Sequence, residues 1–463
     1  MGKRIFLNIL LILSLVLIVS CTEDKNNKDT YFGGKIINPK SNHVILFSMG
    51  KVIDTFFLNG KNNFLGKIKN ANEGLYYFTH GTENQYIYIE ESDSLMLRLN
   101  TWDFDESLVY AGKGAERNNI LLDCFLEDEK SNRFFYELNT QKPAIFKQKV
   151  DSLLNLKNAT YQNYLENHPE ETIGFKSLLK TALTYPLFTR IERYPTQYVY
   201  QTKSKVFPKI ESTFYSHRNV INTNNDSLMY YYPYSKFIRS YLYNLTYSLG
   251  HLPMTNEYSS DFTVDLLKTI DKKINAKDSK NAFLKQTVIG HFYTKSSCNV
   301  NKAAFDTFFK LSSNKEDKTR IQKLLKDNDY IKRGEPLEDF IITNLANGKV
   351  SVKEVIKKKN TLLLFWSLEH YSKSYISSRV NFLSKKFPEV EFILIKFGEN
   401  TPDRIRNIDI KTQFYVDSNS AANNFLTSKM SRTILVNSKG IVKNGYASIS
   451  SKNIYQQLRN LKK

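Results

Sequence analysis

The chain has 463 residues, and at roughly 150 residues per domain this length predicts about three domains. Hydrophobic residues make up 41% of the chain and aromatic residues 13%, which is enough apolar surface for sizeable cores. Lys and Arg outnumber Asp and Glu by 66 to 46, but the lysines are spread along the chain, with no arginine-rich arm and no recognisable nucleic-acid module. The composition therefore predicts a solvated basic surface, attracted secondarily to anionic membranes, and argues against nucleic-acid binding.

Residues 1–20 have the pattern of a secretory signal peptide, because Lys3 and Arg4 precede an apolar stretch that is too short for a durable membrane span. The stretch ends in Ile18-Val19-Ser20-Cys21, which resembles the lipobox of bacterial lipoproteins. The resemblance implies that Cys21 is lipidated and anchors the protein to a membrane of the bacterial cell envelope. The alternative is an ordinary signal peptide with an incidental cysteine. Residues 21–29 form a predicted polar tether whose acidic residues resemble a surface-export signal, so an outer-membrane protein facing either the periplasm or the surface is expected.

The cysteines exclude two common kinds of site. The chain has three, Cys21, Cys124 and Cys298, and none belongs to a CxxC pair, so neither a local dithiol nor a zinc knuckle is available. Only Cys124 and Cys298 could form an intrachain disulfide, and their spacing leaves open whether they pair.

Residues 30–115 contain short runs rich in β-branched and aromatic side chains, separated by turn signals, and they predict a small antiparallel β-sandwich. Asn59-Gly60 lies between two apolar runs and is typical of a type I′ hairpin, whose two central residues both need positive φ. With its closing loop Ala111-Gly112-Lys113-Gly114, this stretch resembles the β domain of unknown function that often precedes thioredoxin-like domains in such lipoproteins.

From residue 116 to residue 328 the apolar period becomes helical, and the segment contains no internal repeat and no catalytic motif. The dense aromatic cluster Tyr230 to Tyr234 permits two interpretations. It could line a ligand or peptide groove, or it could begin a helix that packs against a core, and we favour the core.

Residues 329–463 show several landmarks in a fixed order. A buried-looking strand, Leu362 to Trp366, is followed by a polar turn, a helix through Ile376, Val380 and Leu383, and a second strand from Val390 to Phe397. A hairpin across Asn437-Ser438-Lys439-Gly440 and an amphipathic closing helix complete the segment. The order βαβ and then ββα resembles the thioredoxin superfamily, closest to the TlpA/ResA-like thiol-disulfide oxidoreductases and peroxiredoxin-like (AhpC/TSA-type) domains. The fold class expected for the whole chain is α+β multidomain, with a β-sandwich, a helical middle and a C-terminal thioredoxin-like domain.

The resemblance is strongest at Phe365-Trp366-Ser367-Leu368, which matches the first half of the signature Phe-Trp-Ala-x-Trp-Cys-x-x-Cys. Where that signature has its two cysteines, this chain has His370 and Lys373. The family also has a cis-proline immediately before a later strand, and here Ser431 or Arg432 takes that position. The resemblance thus implies a degenerate site, because neither His370 nor Lys373 can form the disulfides that the family's chemistry requires.

His370 permits a second interpretation. A hydrolytic or metal-binding function is the alternative, but no HExxH motif and no nearby Ser/Asp order supports it, and seven histidines in the chain are few. We therefore expect a partly exposed polar turn, no catalytic residue, no metal and no cofactor. Trp366 is expected in the core beneath the turn.

The leading hypothesis is a membrane-anchored envelope lipoprotein with a redox-inactive thioredoxin-like domain. That domain would bind a peptide or protein partner or act as a scaffold, because the fold holds extended peptides at the turn and the adjacent sheet edge even without thiols. The alternative is a TlpA-like thiol-disulfide oxidoreductase that uses Cys124 or Cys298. A third possibility, an accessory lipoprotein for polysaccharides or nutrients, is permitted by the aromatic content alone.

Overall fold

The structure, a computed structural model, describes residues 29–253, 259–294, 302–398, 405, 410 and 412–462. The chain forms two compact units. The first comprises Met1–Gln197, Lys209–Ser216 and Ser227–Phe237, and the second comprises Tyr198–Pro208, His217–Asp226 and Ile238–Lys463. The predicted helical region is therefore divided between the two units. None of the helices in the described part of the chain is both long enough and apolar enough to span a membrane.

The first unit is built on two four-stranded sheets, with strand orders β4-β1-β7-β8 and β3-β2-β5-β6. Its strands are β1 (Thr30–Ile37), β2 (His43–Ser48), β3 (Lys51–Phe57), β4 (Asn63–Ile68), β5 (Gly74–His80), β6 (Glu83–Ile89), β7 (Ser94–Asn100) and β8 (Val109–Ala111). Their inward side chains form one shared core around Phe32, whose ring lies 5.3–5.7 Å from the rings of Phe56, Phe64 and Phe78. The predicted sandwich is present.

The prediction of an entirely antiparallel sandwich is wrong for one strand pair, because β1 and β7 run parallel. The cause is the link between the sheets. After β6, the chain turns through Asp93, whose carbonyl accepts a hydrogen bond from Tyr31 N at 2.8 Å. That bond holds the start of β7 beside the start of β1, and from there the two strands run in the same direction.

The type I′ hairpin predicted at Asn59-Gly60 is also wrong. β3 pairs with β2 and β4 pairs with β1, so the turn connects two sheets. Asn59 Oδ1 accepts hydrogen bonds from the backbone N–H groups of Lys61 and Asn63, at 2.9 and 3.1 Å, and Asn62 is the residue with positive φ, at 59°. The asparagine side chain organises a wider turn, and Gly60 does not need its conformational freedom.

The helices begin directly after β8. Those preceding the C-terminal domain are α1 (Ala115–Lys130), α2 (Asn132–Leu138), α3 (Pro143–Asn167), α4 (Ile173–Thr202), α5 (Tyr232–Tyr247), α6 (Ser260–Lys273), α7 (Lys277–Thr294), α8 (Lys302–Leu311) and α9 (Lys315–Tyr330). Short 3₁₀ helices lie at Ser212–Asn219 and Ser227–Tyr230. In the aromatic cluster before and within α5, Tyr231 and Tyr234 are buried whereas Tyr230 and Tyr232 are exposed. Core packing at the helix start accounts for the two buried rings.

The second unit contains a seven-stranded sheet with the order β10-β9-β13-β12-β11-β14-β15. Its strands are β9 (Ile341–Asn344), β10 (Lys349–Ser351), β11 (Asn360–Trp366), β12 (Val390–Lys396), β13 (Gln413–Tyr415), β14 (Arg432–Val436) and β15 (Val442–Ala447). Its helices are α10 (Val352–Ile356), α11 (Lys373–Lys386) and α12 (Ile454–Arg459), with 3₁₀ helices at Ala421–Phe425 and Asn460–Lys462. β11 is parallel to β12 and antiparallel to β14, which pairs antiparallel with β15. This βαβ-ββα arrangement is that of a thioredoxin-like domain.

The central strand β11 explains why two cores form, one on each face of the sheet. Leu362, Leu364 and Trp366 point to the face covered by α11 and α12, whereas Leu363 and Phe365 point to the opposite face. Successive side chains of a strand alternate between faces, so a run of apolar residues buries both. Trp366 is 2% exposed and lies in the core, as expected.

Candidate functional site

The candidate site is the turn that joins β11 to α11. After Trp366 the backbone folds back, and the N–H groups of His370 and Tyr371 both donate to Ser367 O at 3.2 Å. Ser372 then begins the helix, because its Oγ accepts a hydrogen bond from Tyr375 N at 3.2 Å. The strand, turn and capped helix place the two degenerate positions at the positive end of the α11 dipole.

His370 is held on both sides of its ring. Its Nε2 lies 3.1 Å from Arg320 Nη2, and its Nδ1 lies 3.0 Å from Ser367 Oγ. A guanidinium group can only donate, so Nε2 accepts and the ring proton is assigned to Nδ1. The contacts therefore favour a neutral imidazole.

The electrostatics agree with that assignment. Burial lowers the pKa of His370 below its usual value, and the nearby Arg320 charge lowers this pKa further, whereas Glu369 opposes the shift. The ring is half-buried. A neutral imidazole that is hydrogen-bonded at both nitrogens orders the turn, and it does not provide a free general base.

Lys373, the second degenerate position, is the first residue of α11 and is half-buried. Its amine cannot form a disulfide with a substrate or with the other position. The structure thus places His370 on the turn and Lys373 at the helix start.

Ser431 and Arg432, the two candidates for the cis-proline position, lie at the start of β14, which begins at Arg432. No cis peptide bond occurs in the described part of the chain. Ser431 is buried, and its carbonyl accepts a hydrogen bond at 2.8 Å from Tyr293 Oη on α7. The carbonyl of Ser431 therefore already has a hydrogen-bond partner within the second unit.

Arg432 is 1% exposed, and its guanidinium is held entirely by backbone carbonyls and aromatic rings. It donates to Gly445 O, to Asp327 O at 3.0 Å and to Phe425 O at 2.8 Å. The rings of Phe425 and Tyr446 lie 5.2 and 4.2 Å from its central carbon. Burial lowers the pKa of Arg432 to about 10, so the group still carries its charge at neutral pH.

Helix α9 makes a second contact with the segment before β14. The buried Asp327 accepts hydrogen bonds from Thr427 N at 3.1 Å, Thr427 Oγ1 at 2.6 Å and Ser428 N at 2.8 Å. At the end of α7, Thr294 O accepts from Asn453 Nδ2 at 3.0 Å. The turn at His370 and the strand start at Ser431 are thus both bound by helices of the same unit.

The sequence contains no signal for these helix contacts. Arg320 lies 50 residues before His370, and Tyr293 lies 138 residues before Ser431. Arg320 belongs to an ordinary charged helix whose pattern marks only its apolar face. Only the folded chain shows which charged side chain reaches the turn.

The cysteines are not brought together at this site. Cys124 is a buried free thiol in α1, and burial raises its pKa to about 12, which keeps it protonated at neutral pH. Cys21 and Cys298 lie outside the described residues, so the lipidation of Cys21 stays a prediction. Within the described ranges, no three His, Cys, Asp or Glu side chains are grouped closely enough to hold a metal ion.

No family model matches the chain, and no curated protein matches it. Among solved structures, 22 chains match, and they include several thioredoxin-like proteins. A thioredoxin-like protein from Bacteroides caccae is 13% identical over 58% of this chain and 92% of its own, with a TM-score of 0.27. A candidate thiol-disulfide oxidoreductase from Bacteroides vulgatus is 19% identical over 28% of this chain and 97% of its own, with a TM-score of 0.24.

The exposed lipoprotein thioredoxin of Streptococcus pneumoniae is 13% identical over 27% of this chain and 99% of its own, with a TM-score of 0.20. Identities and TM-scores of this size do not support transfer of a function. The fold assignment of the C-terminal domain therefore depends on its own strand order and strand directions.

Proposed function

We propose that this protein is a lipid-anchored lipoprotein of the bacterial cell envelope whose thioredoxin-like domain is a scaffold and does not exchange disulfides. The observation that carries the proposal is the pair His370 and Lys373 at the turn. Thioredoxin-type exchange needs a thiolate at the helix start and a resolving thiol three residues later. An imidazole and an amine supply neither.

Side chains of the second unit already contact the turn and the start of β14. These internal contacts favour a scaffolding role over the binding of an external peptide at the same place. Arg320 donates to His370, and Tyr293 donates to the carbonyl of Ser431. A peptide that paired with the Ser431 carbonyl would have to share that oxygen with the tyrosine hydroxyl or displace it. The positions that serve exchange chemistry in redox-active relatives would instead hold helices α7 and α9 against the sheet.

The alternative, an oxidoreductase with a relocated thiol, now depends on Cys298. Cys124 is an unsuitable nucleophile because burial keeps it as a thiol. Cys298 follows Thr294 by four residues, and Thr294 contacts Asn453 in the thioredoxin-like domain. Any activity of this class is therefore expected to disappear in Cys298→Ser and to persist in Cys124→Ser.

The deciding experiment is an insulin reduction assay with the chain expressed from Thr22 onward. We expect no turnover above the background reaction. The double variant His370→Cys/Lys373→Cys is the matched control, because a dithiol restored at the helix start should be detected if the assay is sensitive. Turnover by the parent chain that is lost in Cys298→Ser would overturn the proposal.

Anchoring is tested separately with the full chain. In a bacterial host that processes lipoproteins, the parent should fractionate with membranes and incorporate a labelled fatty acid. Cys21→Ala should lose the label, while Cys124→Ala should keep both properties. Equal labelling of the parent and Cys21→Ala would show that Cys21 is not the lipidated residue.

A further inference from the structure

Helices α5, α6 and α7 surround a small pocket in the second unit. Its volume is about 140 Å³, and its floor is formed by Leu242, Leu266, Ile270 and Phe283. These four side chains are each at most 6% exposed, so the floor belongs to the packed core of the unit. Core packing therefore holds the apolar part of the pocket lining in place, and polar side chains form the rest.

Among the described residues, the polar part of the lining includes the positively charged Arg239. Arg239 Nη2 donates to Gln286 Oε1 at 3.3 Å, and both side chains are exposed. Within the described residues, no carboxylate pairs with Arg239. Nearby lysines on α7 differ in this respect, since Lys280 and Lys285 form ion pairs with Asp271 and Asp317 at 2.9 and 2.7 Å.

Among the described residues, the Arg239 guanidinium thus lines the pocket beside apolar side chains with Gln286 as its polar partner. A guanidinium presents its N–H groups in a planar fork that matches a carboxylate. The amide of Gln286 uses its oxygen on Arg239, which leaves its nitrogen to donate to the same ligand. An arginine and an amide at the rim with leucine, isoleucine and phenylalanine below suit a molecule that is anionic at one end and apolar at the other.

We propose that this pocket binds a small monocarboxylate with a compact apolar body. A cavity on the order of 150 Å³ accommodates a benzene ring, so the body should have about six carbon atoms. The carboxylate would lie between Arg239 and Gln286, and the apolar body would contact Leu266, Ile270 and Phe283. This site is separate from the turn at His370 and does not depend on the scaffolding role.

The experiment uses phenylacetate as the probe and isothermal titration calorimetry of the chain from Thr22 onward. We expect saturable binding of one phenylacetate per chain and no measurable binding of the neutral isostere phenylacetamide at the same concentrations. Arg239→Gln removes the charge and should weaken binding about tenfold or more, since hydrogen bonds to charged groups are the strong ones. Gln286→Glu should weaken it similarly, because the new carboxylate would compete for Arg239.

Both substituted side chains are exposed, so neither variant should unfold, and circular dichroism checks this. Lys272→Gln, on the exposed side of α6, is the control for loss of one positive charge and should bind like the parent. Absence of saturable phenylacetate binding, or equal affinity in the parent and Arg239→Gln, would overturn the proposal. Equal affinity for phenylacetamide would also overturn it, since the carboxylate would then have no role.

Discussion

Arg320 on α9 donates a hydrogen bond to His370 on the turn before α11, with Nη2 and Nε2 separated by 3.1 Å. The contact joins a helix that precedes the thioredoxin-like domain to a residue of the turn between β11 and α11. Because the donor is positively charged, it also selects the neutral form of the imidazole. One contact therefore both orders the turn and favours one protonation state of His370.

Arg320→Gln should raise the pKa of His370. Burial lowers this pKa first and the Arg320 charge lowers it further, and glutamine can still donate to Nε2 but carries no charge. The pKa is measured by NMR from the ring proton resonances, with His370→Gln identifying the signal. Arg333→Gln, an exposed arginine beyond α9, is the matched control and should leave the pKa unchanged. An unchanged pKa in Arg320→Gln would show that burial alone sets it.

His370 should also make the stability of the folded protein depend on pH. Because the pKa of folded His370 lies below its ordinary value of 6.5, the unfolded chain binds a proton first as pH falls. This contribution to stability is present above pH 6.5 and is lost as pH falls through 6.5 toward the folded pKa. Urea unfolding at pH 7.5 and pH 5.5 should show a smaller loss of stability in His370→Gln than in the parent. An identical loss in both proteins would contradict the prediction.

Asp327→Asn should destabilise the second unit by about 2–3 kcal/mol. The buried carboxylate accepts three hydrogen bonds from Thr427 and Ser428, and an amide nitrogen in place of one oxygen would face a backbone N–H. Asp329→Asn changes an exposed residue of the same helix and should have no measurable effect. Denaturant unfolding, monitored by fluorescence of Trp366 in a Trp102→Phe background, measures the difference.

Cys124 should react very slowly with thiol reagents while the protein is folded. With its pKa raised to about 12, its thiolate fraction at pH 7 is about three orders of magnitude below that of an ordinary cysteine. A variant with Cys21→Ser and Cys298→Ser leaves Cys124 as the single thiol. We expect fast labelling in 6 M guanidinium and slow labelling in buffer. Fast labelling of the folded variant would show that Cys124 is accessible and activated.

The turn between β3 and β4 should tolerate alanine at Gly60 and resist it at Asn62. Gly60 has no atom within 4 Å of an added Cβ and does not adopt positive φ, so Gly60→Ala should change stability by less than about 0.5 kcal/mol. Asn62 has φ 59°, and Asn62→Ala should cost about 1 kcal/mol because alanine disfavours that region. Urea unfolding compares the pair. A larger loss of stability in Gly60→Ala than in Asn62→Ala would favour the type I′ hairpin that the sequence predicts.

Local patterns determined much of this protein from the sequence alone. The apolar run ending at Trp366 indicates a strand buried on both faces, and the spacing of Ile376, Val380 and Leu383 marks the inner side of α11, where all three are buried. The sequence also shows directly that the segment after this run, from Ser367 to Lys373, contains no cysteine. Such features depend on residues close together in the chain, so periodicity and motif spacing are sufficient.

Contacts between distant segments were decided only by the tertiary structure. The parallel pairing of β1 with β7, the hydrogen bond from Arg320 to His370 and the hydrogen bond from Tyr293 to Ser431 each join residues 50 or more positions apart. A local pattern predicts that a helix has a polar face, but it does not predict which strand or turn that face meets. That choice depends on how the two cores pack, and packing is a property of the whole unit.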